Sequence, residues 1–427
     1  MDQGLIGIVI FVVVYIAMVF DLVDRTVAVL FGALTMVGLG ILSEKEVIQY
    51  VHWEALGLIF GMFVLVAAMK DSGFFRWIGL YALQATKFET LRIFIVFCGL
   101  SAFLAAFMDS ITVMVFMASL TIEVCVILRV PPMPFLIAEI CSANIGGSAT
   151  MVGDPPNVII GTAFNLTFSD FVRNTGPIAM VAFAVNIIVF GVIYEKLLNR
   201  KHHDVKQIME EHKDLDPFSA IQDLRLMRIS LMVFIFTVTL LILHNVIDIV
   251  VAYAAILGAT LVLFLGGRKM DHLVDKIDWH TIVFLGGLFV MVGGLESSGV
   301  LSSFAHSLID FTGDNIVLVT IVIFWVAALL SALLDNVALS AAMIPVIQTI
   351  SADTGIPIKS LAYTLALGCD VGGSATPIGA SANVVGLAVA EKHGIKFEWW
   401  QYCKVAIPAT LITLIVTNIL LFVLKIV

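Results

Sequence analysis

The sequence predicts an all-α polytopic membrane protein. It is made of two inverted-topology repeats with about ten transmembrane helices, two re-entrant hairpins and two broken helices. Three observations carry this expectation. The 427 residues are 60% hydrophobic and 13% charged, with mean hydropathy +1.07, whereas a soluble domain is about half apolar and about a quarter charged. Apolar runs close to the ~20 residues needed to cross a bilayer recur along the chain. And the stretch "IGGSATMVGDPPNVIIG" (Ile145–Gly161) is nearly repeated 226 positions later as "VGGSATPIGASANVVG" (Val371–Gly386).

The offset of 226 is constant. It pairs Gly32 with Gly258, Trp53 with Trp279, Ser72-Gly73 with Ser298-Gly299, Asp109 with Asp335 and Asn157 with Asn383, without a gap. Apolar residues coincide by chance; glycines, a carboxylate and two tryptophan boundaries in one register do not. The chain therefore divides into a first repeat (1–196), a polar linker (197–228) and a second repeat (229–427).

Each element of the first repeat has its own warrant. Residues 4–22 lack a basic leading segment and a small-residue cleavage site, so they read as a first span and not a signal peptide. Spans at 26–43 and 54–70 follow. The stretch "GFFRWIGLYALQATK" is amphipathic. The apolar segments 92–107 and 111–128 meet at "FMDSIT" and are two full spans or one hairpin. The shortness of their arms and the unanchored turn favour a hairpin, whose tip is tolerated in a membrane only against protein or a wet cavity. A broken span at 134–164 and a last span at 175–195 complete the unit. The second repeat follows suit at 229–247, 250–267, 279–296, a hairpin over 317–350, 360–392 and 401–426.

Five crossings per repeat turn the second upside down. Basic residues favour the cytoplasmic side. With the linker placed there, sixteen of the 23 Lys and Arg lie on that side. Seven lie opposite: Lys45, Arg173, Arg268, Lys269, Lys276, Lys359 and Lys425. The expectation is an inner (cell) membrane protein with both termini outside the cytoplasm. The mixed charges of the linker suggest a solvated loop, and no basic patch with aromatics suggests nucleic acid. The five cysteines show no C-x-x-C spacing and read as small buried hydrophobes.

Inverted repeats with discontinuous helices are the mark of secondary transporters. A helix interrupted at mid-membrane frees backbone N–H and C=O groups, with a partly positive end and a partly negative end. Glycines let the backbone leave helical geometry, and Pro155 and Pro156 suit the start of the next half-helix. The candidate binding residues are the polar ones at these breaks and at the hairpin tips. In the first repeat they are Asp109, Ser110, Thr112, Asn144, Gly146, Gly147, Ser148, Thr150, Asp154 and Asn157. In the second they are Asp335, Asn336, Asp370, Gly372, Gly373, Ser374, Thr376, Ser381 and Asn383. A charge at the bilayer centre costs about 2.5–3.5 kcal/mol even on lenient scales, so four carboxylates there need a role. They cap half-helices, handle ions, or both. Asp109, Asp335, Asn144 and Asp370 are candidates to hold sodium, and Glu139 is a candidate proton site. Asn157 and Asn383 are expected to line one shared cavity with Ser148, Thr150, Ser374 and Thr376. Lys and Arg fall only at or near the ends of the proposed spans, which suits protons, sodium or a neutral substrate better than a multiply charged anion.

At these residues the chain resembles the ion transporter superfamily. That group includes arsenite permeases, NhaD-type sodium/proton antiporters, citrate and dicarboxylate carriers and the melanocyte P protein. "GGSATMVGDPPNVIIG" is similar to its GG-T-AT-IG-PPN signature. "GDPPNVII", "LLDNVALSAAMIPVI" and "IGASANVVGLAVAEKHG" are closest to the P protein branch, and "GCDVGGSATPIG" and "DSGFF" are similar to the arsenite permeases. The resemblance implies a scaffold and a moving transport domain, an elevator motion and, as in several members, a homodimer. It also implies Ser-Asn-Thr at each tip in carboxylate carriers. Here the tips read Asp109-Ser110-Ile111-Thr112 and Asp335-Asn336-Val337-Ala338, which turns the expectation from carboxylates to ions or metalloids.

The leading expectation is a proton- or sodium-coupled secondary transporter of a small inorganic ion or metalloid, with arsenite or antimonite efflux foremost. Alternatives are a sodium/proton antiporter, a P protein-like anion transporter or channel, and a carboxylate carrier. No H-E-x-x-H, G-x-S-x-G or P-loop suggests an enzyme. The coupling proton or sodium is the only cofactor expected. An ATPase partner would have to use the linker, which carries no motif for one.

Overall fold

The computed structural model describes residues 3–20, 22–199, 216–267, 271–313 and 315–426. Among them every regular element is helical. Half of the linker, including Lys213, lies outside the described residues, as do Arg268 and Lys269.

The internal repeat is visible in the helix boundaries. Trp53–Asp71 recurs as Trp279–Ser297, Thr90–Ala105 as Ile316–Ser331, and Ser110–Leu128 as Asn336–Thr354, displaced by 226 at both ends. The amphipathic Phe74–Ala85 helix recurs as Val300–Thr312. Each follows a left-handed glycine, Gly73 (φ 85°) or Gly299 (φ 76°), where L-residues are strained. The predicted span at 26–43 is shorter: its helix, Arg25–Gly38, ends before Gly40 (φ 72°), and a capped helix Glu44–Tyr50 follows. The predicted span at 175–195 is longer, Phe168–Ile193, because Thr167 and Asp170 form a capping box seven residues upstream.

Seven helices among those described are long and apolar enough to cross a bilayer, and five shorter ones are also apolar. Apolar side chains such as Phe31, Val126, Val192 and Phe264 stand exposed on the outside, where a bilayer would meet them. The predicted crossings at 134–164 and 360–392 are each split. The first comprises Met133–Gly147 and Pro155–Ala163; the second comprises Ile358–Gly372, a short 3-10 turn, and Ser381–Lys392. "FMDSIT" and its counterpart form tight turns between the Thr90–Ala105 and Ser110–Leu128 arms and between the Ile316–Ser331 and Asn336–Thr354 arms, as the hairpin reading expects.

Contacts sort the helix ends into two groups. At the linker's end, Gln222 donates its backbone N–H to the Ser72 carbonyl at 3.0 Å, Arg76 pairs with Glu123 at 2.9 Å, and Thr26 bonds the His280 carbonyl at 3.3 Å. At the other end, Lys359 pairs with Asp170 at 3.4 Å, and Ser360 bonds the Ile426 carbonyl at 2.7 Å. Asp71, at the end of the Trp53–Asp71 helix, forms an ion pair with Lys276, just before the equivalent Trp279–Ser297 helix. Equivalent helices therefore run antiparallel, which is the predicted inversion. The same pair corrects one assignment. Lys276 lies at the linker's end and not opposite it, which strengthens the asymmetry on which the orientation rests.

Candidate functional site

The two hairpin tips and the two helix breaks meet in one buried polar region. Asp109 and Asp335 each precede a hairpin's second arm and cap it. Asp109 Oδ2 accepts from the Thr112 N–H (3.0 Å) and hydroxyl (3.1 Å), and Asp335 Oδ1 from the Val337 N–H at 3.0 Å. Asp154 occupies the cap position of the Pro155–Ala163 half-helix but makes no capping bond. Its carboxylate ties the tips together instead: Oδ1 accepts from the Ser110 hydroxyl of the first hairpin, and Oδ2 from the Asn336 amide of the second at 2.9 Å. The second repeat makes the tip-to-break bond with the roles exchanged. There the acid, Asp335, is on the hairpin, and Ser381 on the half-helix donates to it at 2.6 Å.

Each break is held by an asparagine. Asn157 Nδ2 donates to the carbonyls of Gly147 (2.9 Å) and Thr150 (3.2 Å), and Asn383 Nδ2 to those of Gly373 (2.7 Å) and Thr376 (2.8 Å). These are carbonyls that a continuous helix would have satisfied. Thr150 and Thr376 bond the hairpin-turn carbonyls of Ala106 and Ala332. The repeats then cross. Asn157 also donates to Asp370 Oδ2 at 2.9 Å, and Asn144 donates to Asn383 Oδ1 at 2.9 Å and to the Ser374 hydroxyl at 3.2 Å. The Asp154 and Asp370 carboxyls, from opposite repeats, are both buried in this network. Four buried acceptor oxygens take no hydrogen bond: Asp109 Oδ1, Asn144 Oδ1, Asn157 Oδ1 and Asp370 Oδ1. All but Thr112 and Ser381 of the side chains named here are buried.

Two sequence readings change. The glycines of the breaks are not there for unusual dihedrals, since none of Gly146, Gly147, Gly153, Gly372, Gly373 and Gly379 has positive φ. They are there for proximity. A Cβ on Gly146 would lie 2.1 Å from the Ala102 carbonyl oxygen, and one on Gly372 2.5 Å from that of Ala328; Gly153 and Gly379 face Gly147 and Gly373 equally closely. The hairpin arms pack backbone to backbone on the half-helices. Second, Asn157, Asn383, Thr150 and Thr376 hold the breaks closed, and Ser148 only bonds the Ile145 carbonyl at 2.7 Å; these side chains form a bonded core more than the lining of an open cavity. The four proposed sodium ligands have separate partners, and no three of His, Cys, Asp and Glu among the described residues cluster to hold a metal. Glu139 is buried away from the tips, with the Thr121 hydroxyl at 2.7 and 2.9 Å from its two oxygens.

Sequence reasoning missed Arg25. It precedes the second span, outside any apolar run, yet its guanidinium donates to the Ser381 hydroxyl at 3.2 Å and lies 3.8 Å from Asp335 Oδ2. The acidic tips are therefore not without a basic partner. It missed Tyr402 too, whose hydroxyl bonds the Ser374 carbonyl at 3.0 Å. Neither residue breaks a pattern that spacing could detect. From the linker's end two adjoining cavities of about 310 and about 300 Å3 reach this region; both are lined by Ile111, Asp278 and Val385, the first also by Arg25 and Ser381, the second by Lys70 and Lys276.

Comparison with known proteins agrees with this architecture. Residues 15–368 match the family model CitMHS, described as citrate transporter. An uncharacterized transporter of Mycobacterium tuberculosis is 30% identical, the match covering 98% of both chains. The P protein of Homo sapiens is 29% identical across 94% of this chain, which spans 57% of that longer protein. Among solved structures, the YdaH transporter of Alcanivorax borkumensis superposes with a TM-score of 0.61, over 100% of this chain and 98% of that one. MtrF of Neisseria gonorrhoeae has the same TM-score, with 88% and 82% covered. Both are 13% identical, so the likeness is one of fold.

Proposed function

Since the chain belongs to the citrate transporter family of membrane transporters, we propose that it is a secondary transporter driven by a proton or sodium gradient. The observation that carries this is the burial of two carboxyls from opposite repeats, Asp154 and Asp370, in one polar network, with unbonded oxygens of Asp370, Asn144 and Asn157 beside them. Two carboxyls buried in one polar network inside a membrane favour bearing one charge between them unless a cation joins them. Such a pair exchanges a proton or a small cation with whichever side it can reach. Both carboxyls sit on half-helices, so alternating access follows if the hairpins and broken helices move against the remaining spans in an elevator motion. The basic residues at the linker's end support an orientation in the cell membrane with that end cytoplasmic.

For the substrate, a small inorganic ion or metalloid fits the tips better than citrate does. Neither tip carries Ser-Asn-Thr, and the region offers hydroxyls, amides and carboxyls with one arginine. Arsenite or antimonite export is the first form of this reading. Sodium/proton exchange is the second, supported by the unbonded oxygens, which a hard cation can take as ligands. Purified protein in proteoliposomes, given sodium, arsenite, citrate or chloride under imposed pH and sodium gradients, tests both. The expected result is flux of arsenite or sodium that collapses with the gradient. Flux of citrate alone, or flux indifferent to both gradients, would overturn the proposal.

A further inference from the structure

Arg25 sits at the start of the Arg25–Gly38 helix, which packs against Trp279–Ser297 and belongs to the spans outside the hairpin and broken-helix unit. Asp335 and Ser381 belong to that unit. The contacts of Arg25 with these two therefore cross the seam along which the unit would move. The equivalent positions do not repeat this arrangement: at the 226 offset Arg25 becomes Val251, and Ser381 answers to Pro155. Asp335 lines one small cavity with Tyr15 of the first helix, and its neighbour Asn336 bonds Asp154. Between Tyr15, Arg25 and Asp335 is a cavity of about 30 Å3. That is room for roughly one water molecule, and so for one bare monovalent cation.

We propose that Arg25 is the counter-ion of Asp335 in this conformation only, and that the hairpin unit leaves it when a proton or sodium ion in this small cavity takes the place of Arg25. The inference rests on the gradient-driven reading above and assigns it a coupling residue. The physical ground is the cost of carrying an uncompensated carboxylate through the membrane. Asp335 is only 8% exposed, so withdrawing Arg25, itself 35% exposed, leaves a buried carboxylate without its counter-ion, which is unfavourable. A cation must therefore replace the guanidinium before the seam can slide. Arg25 becomes a positioning residue that forbids movement of the empty carrier, without contacting the substrate.

The test is accessibility. Val384 lines the cavity beside Arg25 that opens at the linker's end, and the five native cysteines are buried. In reconstituted protein, Val384→Cys is labelled by a membrane-impermeant maleimide from the linker's side, at several pH values with and without sodium. In the Arg25-containing protein, acid or sodium is expected to slow labelling by about tenfold, the factor that about 1.4 kcal/mol makes in an equilibrium. Arg25→Gln is expected to label slowly throughout, with no response to either ion, and Arg25→Lys to restore most of the response. If Arg25→Gln labels as fast as the parent and responds equally to acid and sodium, the proposal is wrong while the gradient-driven reading stands. If the parent responds to neither ion, both fall.

Discussion

A methyl group on Gly146 puts the packing of the first hairpin to a quantitative test. In Gly146→Ala the new carbon would lie 2.1 Å from the Ala102 oxygen and 2.5 Å from its Cα. Non-bonded heavy atoms rest near 3.5–4.0 Å, so the hairpin arm has to retreat by about 1 Å. Nothing flexible is available to yield, because the obstructing atoms are backbone. Overpacking of this kind costs about 1–3 kcal/mol. The retreat also weakens the bond from Thr150 to the Ala106 carbonyl at the same tip, about 1 kcal/mol more. Replacing a helical glycine returns about 1 kcal/mol, leaving a net loss of about 1–3 kcal/mol. Gly191→Ala is the control. It lies in the Phe168–Ile193 helix with nothing within 4 Å of the added carbon, so it keeps the gain of about 1 kcal/mol without the clash. Because all five cysteines are buried, thermal unfolding in detergent is readable with a thiol-reactive dye. Gly191→Ala is expected to melt at or above the parent and Gly146→Ala several degrees below it. A Gly146→Ala protein that melts no lower than Gly191→Ala refutes the backbone-contact explanation.

Two further outcomes follow from the geometry. Asp154→Asn keeps the bond from Ser110 but sets an amide N–H against the Asn336 donor and removes one charge from the carboxyl pair. Transport in proteoliposomes is expected to lose its dependence on the ion gradient while the protein still inserts and folds; wild-type coupling in this variant would refute the role given to the pair. For orientation, Lys276→Cys and Lys213→Cys are expected to resist an impermeant thiol reagent in intact cells, whereas Lys359→Cys reacts. Reaction of residue 276 alone would restore the sixteen-to-seven assignment, and reaction of residues 276 and 213 together would reverse the molecule in the membrane.

The repeat was legible because its punctuation is polar or conformationally special. Glycine, aspartate and asparagine are rare in apolar helices, so their recurrence at one offset placed both hairpins and both breaks. Span ends were less legible where a local signal outweighed hydropathy, as at the Thr167–Asp170 capping box, which starts its helix seven residues before the apolar run. The asparagines were found from sequence, but their partners were not. Spacing shows that Asn157 and Asn383 are equivalent; it cannot show that each spends its amide on its own break's carbonyls while reaching the opposite repeat. Arg25 was invisible for a similar reason. A basic residue in a turn is ordinary, and only folding reveals that the turn abuts the far hairpin's tip. Glycine was read correctly as meaningful, but for the wrong property, since a missing side chain serves close approach as well as it serves backbone freedom.

The seam between hairpin and half-helix has one more consequence. Gears need teeth, and along Gly146, Gly153, Gly372 and Gly379 there are none: two main chains lie flush, fastened by threonine bonds to carbonyls. A flap that swung out alone would strip those carbonyls of their partners and offer lipid a bare strip of peptide. The geometry favours a different economy of motion, in which each tip and the break it rests on travel as one piece. The doors of this molecule are then opened by moving the room.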